Sequence, residues 1–147
     1  MALVENKKAR FDYEILETFE AGAELHGFEV KALRKGMGNL EGARVLVRGG
    51  EAFLVGAHIS PYQQKNTPGS YDPSRSRRLL LKKNELRTLS DTESQRGLTL
   101  VPIKWYNGNR KIKLEVGVGK RKKKYDKRET LKARDTKRQI DRTLKNQ

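Results

Sequence analysis

Residues 98–118 read LTLVPIKWYNGNRKIKLEVGV. Two apolar-rich runs, Leu98 to Tyr106 and Lys111 to Val118, flank Asn107-Gly108-Asn109. In the second run Ile112, Leu114 and Val116 alternate with Lys111, Lys113 and Glu115. That period of two belongs to a strand with one buried face, and Asn-Gly between two such runs signals a hairpin. The same logic extends upstream. Arg44 to Arg48 and Ala52 to Ile59 flank Gly49-Gly50, a second hairpin. Phe11, Tyr13, Ile15 and Phe19 alternate along FDYEILETF, a further strand. Two short helices interrupt the pattern. One is FEVKALRKG, with Val30 and Leu33 on one side and Gly36 as its stop; the other is KKNELRTLSDTES, with Leu86 and Leu89 three apart. No internal repeat is present. The expected fold is mainly β with small helices, a closed antiparallel β-barrel, because closure removes exposed sheet edges in small β modules. Pro61 to Arg77, rich in Pro, Gly, Ser and Asn, is expected to be a functional or mobile loop rather than core.

Downstream the chain changes character. The formal net charge is +15, and residues 119–147 hold 13 Lys/Arg against 4 Asp/Glu, while the first 118 hold 20 against 14. Only Tyr125, Leu131, Ala133, Ile140 and Leu144 are apolar in that segment. So little apolar surface does not offset roughly 1–2 kcal/mol of backbone entropy per residue. Two parts are therefore expected: a β core over 1–118 and a basic tail over 119–147, disordered alone and ordered on a polyanion.

Chemistry is constrained by absence. Without cysteine there are no disulfides, thiolate metal sites or cysteine nucleophiles. His26 and His58 lie on separate elements and make no helical pair. Gly117-Val118-Gly119-Lys120 fails as a phosphate loop, since Leu114 stands where a glycine is required and Arg121 where Ser or Thr is required. No metal and no cofactor are expected. No run approaches the roughly 20 apolar residues that span a bilayer. The N-terminus has no signal-peptide core, so a cytoplasmic, non-membrane protein is expected.

The expected activity is binding. Clustered Lys and Arg release counterions from phosphates, and choice in RNA comes from stacking and base-edge contacts. Tyr125 within KKKYDKRE supplies a stacking ring. Asp126 can cap a helix beginning at Lys127, with Glu129 three residues on. Along such a helix Arg134 and Arg138 share a face.

The words ENKKAR, FEAG, GFEVKALRKG, GEAFLVGAHISPY, DPSRSRRLLL, GLTLVPIKWY and YDKRE, in this order over nearly all 147 residues, make the chain resemble the SsrA-binding (small protein B) family of bacterial trans-translation. The resemblance implies an oligonucleotide-binding (OB) type barrel that binds the tRNA-like domain of transfer-messenger RNA (tmRNA, SsrA RNA). It implies a tail that becomes helical in the vacant mRNA channel of a stalled ribosome, beside the decoding centre. It also implies elongation factor Tu as an indirect partner through charged tmRNA, and a monomer without enzymatic activity is expected. By resemblance Asn6, Lys7 and Arg10, Glu20 of FEAG and Leu80 are core RNA-binding residues, and Lys31, Arg34 and Arg78 are expected to join them. A carboxylate such as Glu20 can accept from the N–H edge of an unpaired guanine. By the same resemblance Tyr125, Asp126, Lys127 and Arg128 face the ribosome, and Lys122, Lys123, Arg134 and Arg138 are expected to join them. Arg121 and Phe28 depart from the family pattern or occupy a variable position in it. Two other classes compete on composition alone: a ribosomal protein with a basic extension, and a basic nuclease that would depend on His58.

Overall fold

The computed structural model describes residues 2–61 and 67–123. The elements follow in the order β1 (Ala2–Glu5), α1 (Lys7–Asp12), β2 (Tyr13–Ala23), α2 (Gly27–Arg34), β3 (Gly38–Asn39), β4 (Arg44–Arg48), β5 (Glu51–Val55), β6 (His58–Ile59), β7 (Arg77–Leu80), α3 (Lys83–Ser94), β8 (Leu98–Asn107) and β9 (Ile112–Arg121). Both hairpins read from the sequence form. β8 and β9 pair from Leu98↔Lys120 to Asn107↔Ile112, and β4 and β5 from Arg44↔Val55 to Arg48↔Glu51. Ile112, Leu114 and Val116 are buried, as their alternation requires. β9 continues past the expected end at Val118. Lys120 and Arg121 still pair with Glu14 and Tyr13, so two cations assigned to the tail hold ladder positions. Their side chains stay exposed, and charge pointing outward does not end a strand whose backbone has partners.

The strand expected from Phe11 starts instead at Tyr13, because Phe11 belongs to α1. Asn6 sets that helix: its Oδ1 accepts from the Ala9 amide at 3.2 Å, and its Nδ2 donates to Leu40 O and Pro102 O at 3.2 and 2.8 Å. Register shifts in β2 between Ile15 and Glu17 and in β8 between Pro102 and Lys104 invert the alternation along both strands. Tyr13 and Ile15 consequently cover a small cluster of Ala9, Val101 and Ile103, while Phe19 and Ala21 join the main core around Leu33, Leu54, Leu100 and Trp105. The glycines of the failed phosphate loop serve this small cluster. A Cβ at Gly117 would lie 2.8 Å from Ile103 Cδ1, and one at Gly119 would lie 3.0 Å from Tyr13.

The seven-stranded sheet runs β1-β8-β9-β2-β7-β5-β4, antiparallel throughout, with β3–β6 as a separate pair. β2 pairs with β9 as far as Ala21 and then with β7 through Gly22 and Ala23. Among the described residues no ladder returns from β4 to β1, so the hydrogen-bonded sheet is open. β4 nevertheless lies against β8, and α3 covers its edge: the Val47 amide donates to Glu93 Oε2 at 2.7 Å, and Arg48 pairs with the same carboxylate.

Candidate nucleic-acid interface

Where β2 passes from β9 to β7, its end, the tip of the β8–β9 hairpin and α2 enclose a groove of about 630 Å³ lined by Ala23, His26, Val30, Arg34, Arg110 and Lys111, among others. A second hollow of about 500 Å³, bordered by Glu20, Lys82 and Glu85, shares Gly22, Leu80 and Lys113 with the first. β7 alternates Arg77 and Leu79 inward with Arg78 and Leu80 outward, which leaves Leu80 48% exposed at the join. Leu80 therefore belongs to the surface and not to the core. Arg34, Arg110, Lys111 and Lys113 form no ion pair among the described residues. Their charge is available to phosphates.

Glu20 stands at one end of this surface, exposed and directly across from Glu115. Glu115 is held by Arg10 at 3.6 Å and Lys104 at 3.5 Å, which offsets the repulsion between the two carboxylates. The Tyr106 phenol is pushed up to about 12, by burial first and then by the charge of Glu20 and a hydrogen bond to it. Lys104 Nζ sits 5.6 Å from the Tyr106 ring centre. The exposed Glu20 carboxylate has lone pairs to offer an N–H edge.

Behind α2 lies a buried ionic cluster. Glu29 and Arg77 have fully buried side chains joined at 2.7 Å, and Arg75 reaches the other oxygen of Glu29. The Tyr71 hydroxyl is 2.9 Å from Glu29 Oε2 and from Ile59 O, and Arg77 also donates to Ala57 O and Pro73 O. Burial pushes the Glu29 carboxyl up, but hydrogen bonds from Arg75, the His26 amide and Arg77 outweigh it and bring the pKa from 4.5 to about 2. The segment 71–77 is therefore anchored in the core, against the expectation that 61–77 is a functional or mobile loop rather than core. Composition hid this because Tyr, Asp, Pro, Ser and Arg also make surface turns.

The family model described as SmpB protein matches residues 3–146. The SsrA-binding protein of Trichodesmium erythraeum (strain IMS101) is 48% identical over 141 residues, covering 96% of this chain and 90% of that protein. The chain belongs to the SmpB family. The SsrA-binding protein of Cupriavidus pinatubonensis (strain JMP 134 / LMG 1197) is 49% identical over 145 residues, covering 99% and 97%. A solved chain from "tmRNA-SmpB: a journey to the center of the bacterial ribosome" superposes with a TM-score of 0.69 at 45% identity, covering 82% of this chain and 84% of that one.

Placed on this SmpB fold, the residues expected from sequence separate into groups. Glu20, Arg34 and Leu80 border the joined groove. Lys7 and Lys31 are exposed on α1 and α2, and Arg10 is engaged by Glu115. Arg78 faces outward but bridges Glu24 and Glu51 at 3.1 Å each, which leaves it largely neutralised. Asn6 is only 5% exposed and both of its donor hydrogens are used within the fold, so it shapes α1 rather than presenting an amide to RNA. The Lys122 amide donates to Asp12 O at 2.8 Å and Lys123 is exposed. Tyr125, Asp126, Lys127, Arg128, Arg134 and Arg138 lie outside the described residues. The sequence reading missed Lys82, Arg110, Lys111 and Lys113 as site residues. The outward alternation of Lys111 and Lys113 was the available signal, but nothing local showed which other elements that face would meet. Among the described residues no group of His, Asp or Glu could hold a metal ion, and no helix is long and apolar enough to cross a membrane.

Proposed function

We propose that this chain is an RNA-binding factor of trans-translation, binding the tRNA-like domain of tmRNA and bringing it to ribosomes stalled on mRNA that lacks a stop codon. The observation that carries this reading is the groove where Glu20, Leu80 and four cations without an ion pair among the described residues meet, in a chain whose relatives are SsrA-binding proteins. Cations alone would bind any polyanion; an exposed leucine and an acceptor at the same edge favour unpaired bases held by a folded RNA. In the fuller reading the sheet closes as an OB-type barrel by packing β4 on β8, with Glu93 sealing the edge where a ladder is lacking. The basic tail then occupies the vacant mRNA channel, charged tmRNA connects the protein to elongation factor Tu, and the protein works as a monomer in the cytoplasm without catalysing a reaction.

The test compares binding of the full chain to the tRNA-like domain RNA and to a plain RNA duplex at the same salt. The tRNA-like RNA should bind at least tenfold more tightly. Glu20→Ala should weaken that binding about tenfold although it makes the protein more positive. Equal affinity for both RNAs, or tighter binding by the variant, would show that undirected electrostatics accounts for the interaction.

A further inference from the structure

The rim of the groove carries a ring stack that the function above does not use. His26 lies nearly parallel to Phe28, with ring centres 5.2 Å apart and an angle of 17°. Phe28 meets Tyr71 edge-on at 4.7 Å and 84°. Burial falls outward through the stack: Tyr71 and Phe28 are half-buried, whereas His26 is exposed and lines the groove. The lowest ring and the backbone at the top are fixed. The Tyr71 hydroxyl is held by Glu29, Ile59 O and Arg77, and the His26 amide donates to Glu29 Oε1 at 2.8 Å. One buried carboxylate thus anchors both the bottom of the stack and the backbone at its top. A surface imidazole held in this way loses little freedom when a planar ligand settles on it.

We infer that His26 is a stacking platform for an unpaired nucleobase, with Arg34 and Arg110 taking the flanking phosphates. Two observations and one general property of rings select that ligand class. The His26 ring has one face covered by Phe28 and stands at the edge of an open groove. Two guanidinium groups and two ammonium groups without ion pairs among the described residues line the same groove, which suits a polyanion rather than a neutral aromatic. Aromatic and imidazole rings accept any base on their π face, so the subsite adds affinity without demanding a sequence. The inference rests on the proposed function and adds a second point of base contact to it, at the residue capping α2 rather than on β2 or β7.

The experiment uses the full chain and the tRNA-like domain of tmRNA, with 2-aminopurine placed in turn at each unpaired position. Fluorescence quenching locates the stacked base, and a binding titration gives affinity. Wild type should quench one position near the groove. His26→Ala should lose that quenching and weaken binding about tenfold, in the range seen for single base–ring contacts. His26→Phe should restore both, whereas His26→Lys should restore neither. Circular dichroism melts should coincide for all three variants, since the side chain is exposed. Unchanged quenching in His26→Ala, or equal rescue by Lys and Phe, would overturn the inference. If wild type prefers this RNA and Glu20→Ala weakens it while His26→Ala does not, only the stacking subsite falls. If wild type shows no preference, the functional reading falls and the subsite with it.

Discussion

Glu29 is surrounded by Arg75, Arg77, Tyr71 and the His26 amide, and each of these groups would be left without its anion if the carboxylate were lost. Two guanidinium groups around one buried acid make the site asymmetric: removing the acid leaves cations facing low dielectric, the costlier way to break a buried pair. Glu29→Gln should therefore destabilise the fold at neutral pH by about 3–5 kcal/mol in denaturant melts. The pH dependence has a defined sign. The folded carboxyl titrates at about 2 against an ordinary 4.5, so its contribution is fully present above about pH 4.5 and is lost as pH falls toward 2. The shift corresponds to about 3 kcal/mol. Wild type and Glu29→Gln should be farthest apart at pH 7 and converge between pH 4 and 2. A constant gap across that range would show that the amide fails for reasons of shape and not of charge.

At the scale of elements, the β8–β9 hairpin carries both fold and site. Its turn closes through Gly108 N–H to Lys111 O at 2.8 Å and places Arg110 at φ 62, among the described residues the one non-glycine with positive φ. That conformation costs an arginine roughly 1 kcal/mol, and such strain persists where the side chain is used. Arg110→Gly should leave stability unchanged or raise it by up to about 1 kcal/mol, since the strain relieved is partly offset by unfolded-chain entropy. The same variant should bind the tRNA-like RNA several-fold more weakly and with a shallower dependence on salt. Melting curves and titrations on one preparation separate the two effects; a variant both less stable and equally tight would remove Arg110 from the groove. Hairpins were legible from sequence because Asn-Gly and Gly-Gly act locally and alternation marks the buried face. The two register shifts were not. Leu16 and Ile103 sit in apolar runs, and nothing local says that an extra residue there inverts the inward face. Asn6 was misread for a related reason: its partners lie 34 and 96 residues away, and only the assembled fold brings Leu40 O and Pro102 O to its amide.

For the whole molecule, the extension of β9 to Arg121 moves charge from tail to body. Residues 1–121 hold 22 Lys/Arg against 14 Asp/Glu, and residues 122–147 hold 11 against 4. Slightly more than half of the net positive charge therefore belongs to the part that contains the groove, and a cut after Val118 would remove ladder positions of β9 along with the tail. A cut after Lys123 spares them, and it tests whether the chain works as two devices. RNA affinity set by groove cations, Glu20 and Leu80 should survive that cut to within about threefold, because counterion release depends on which phosphates are neutralised and not on total charge. Tagging of nascent chains on stalled ribosomes in a reconstituted translation system should fall to background, because the segment proposed for the empty message channel is gone. Adding residues 124–147 back as a separate peptide should not restore tagging at equimolar concentration, since a tethered segment has an effective concentration near millimolar that a free peptide lacks. A truncated protein that loses RNA binding and tagging in parallel would mean that the extension and the groove grip one RNA together, and the division of labour would have to be redrawn around a single continuous interface.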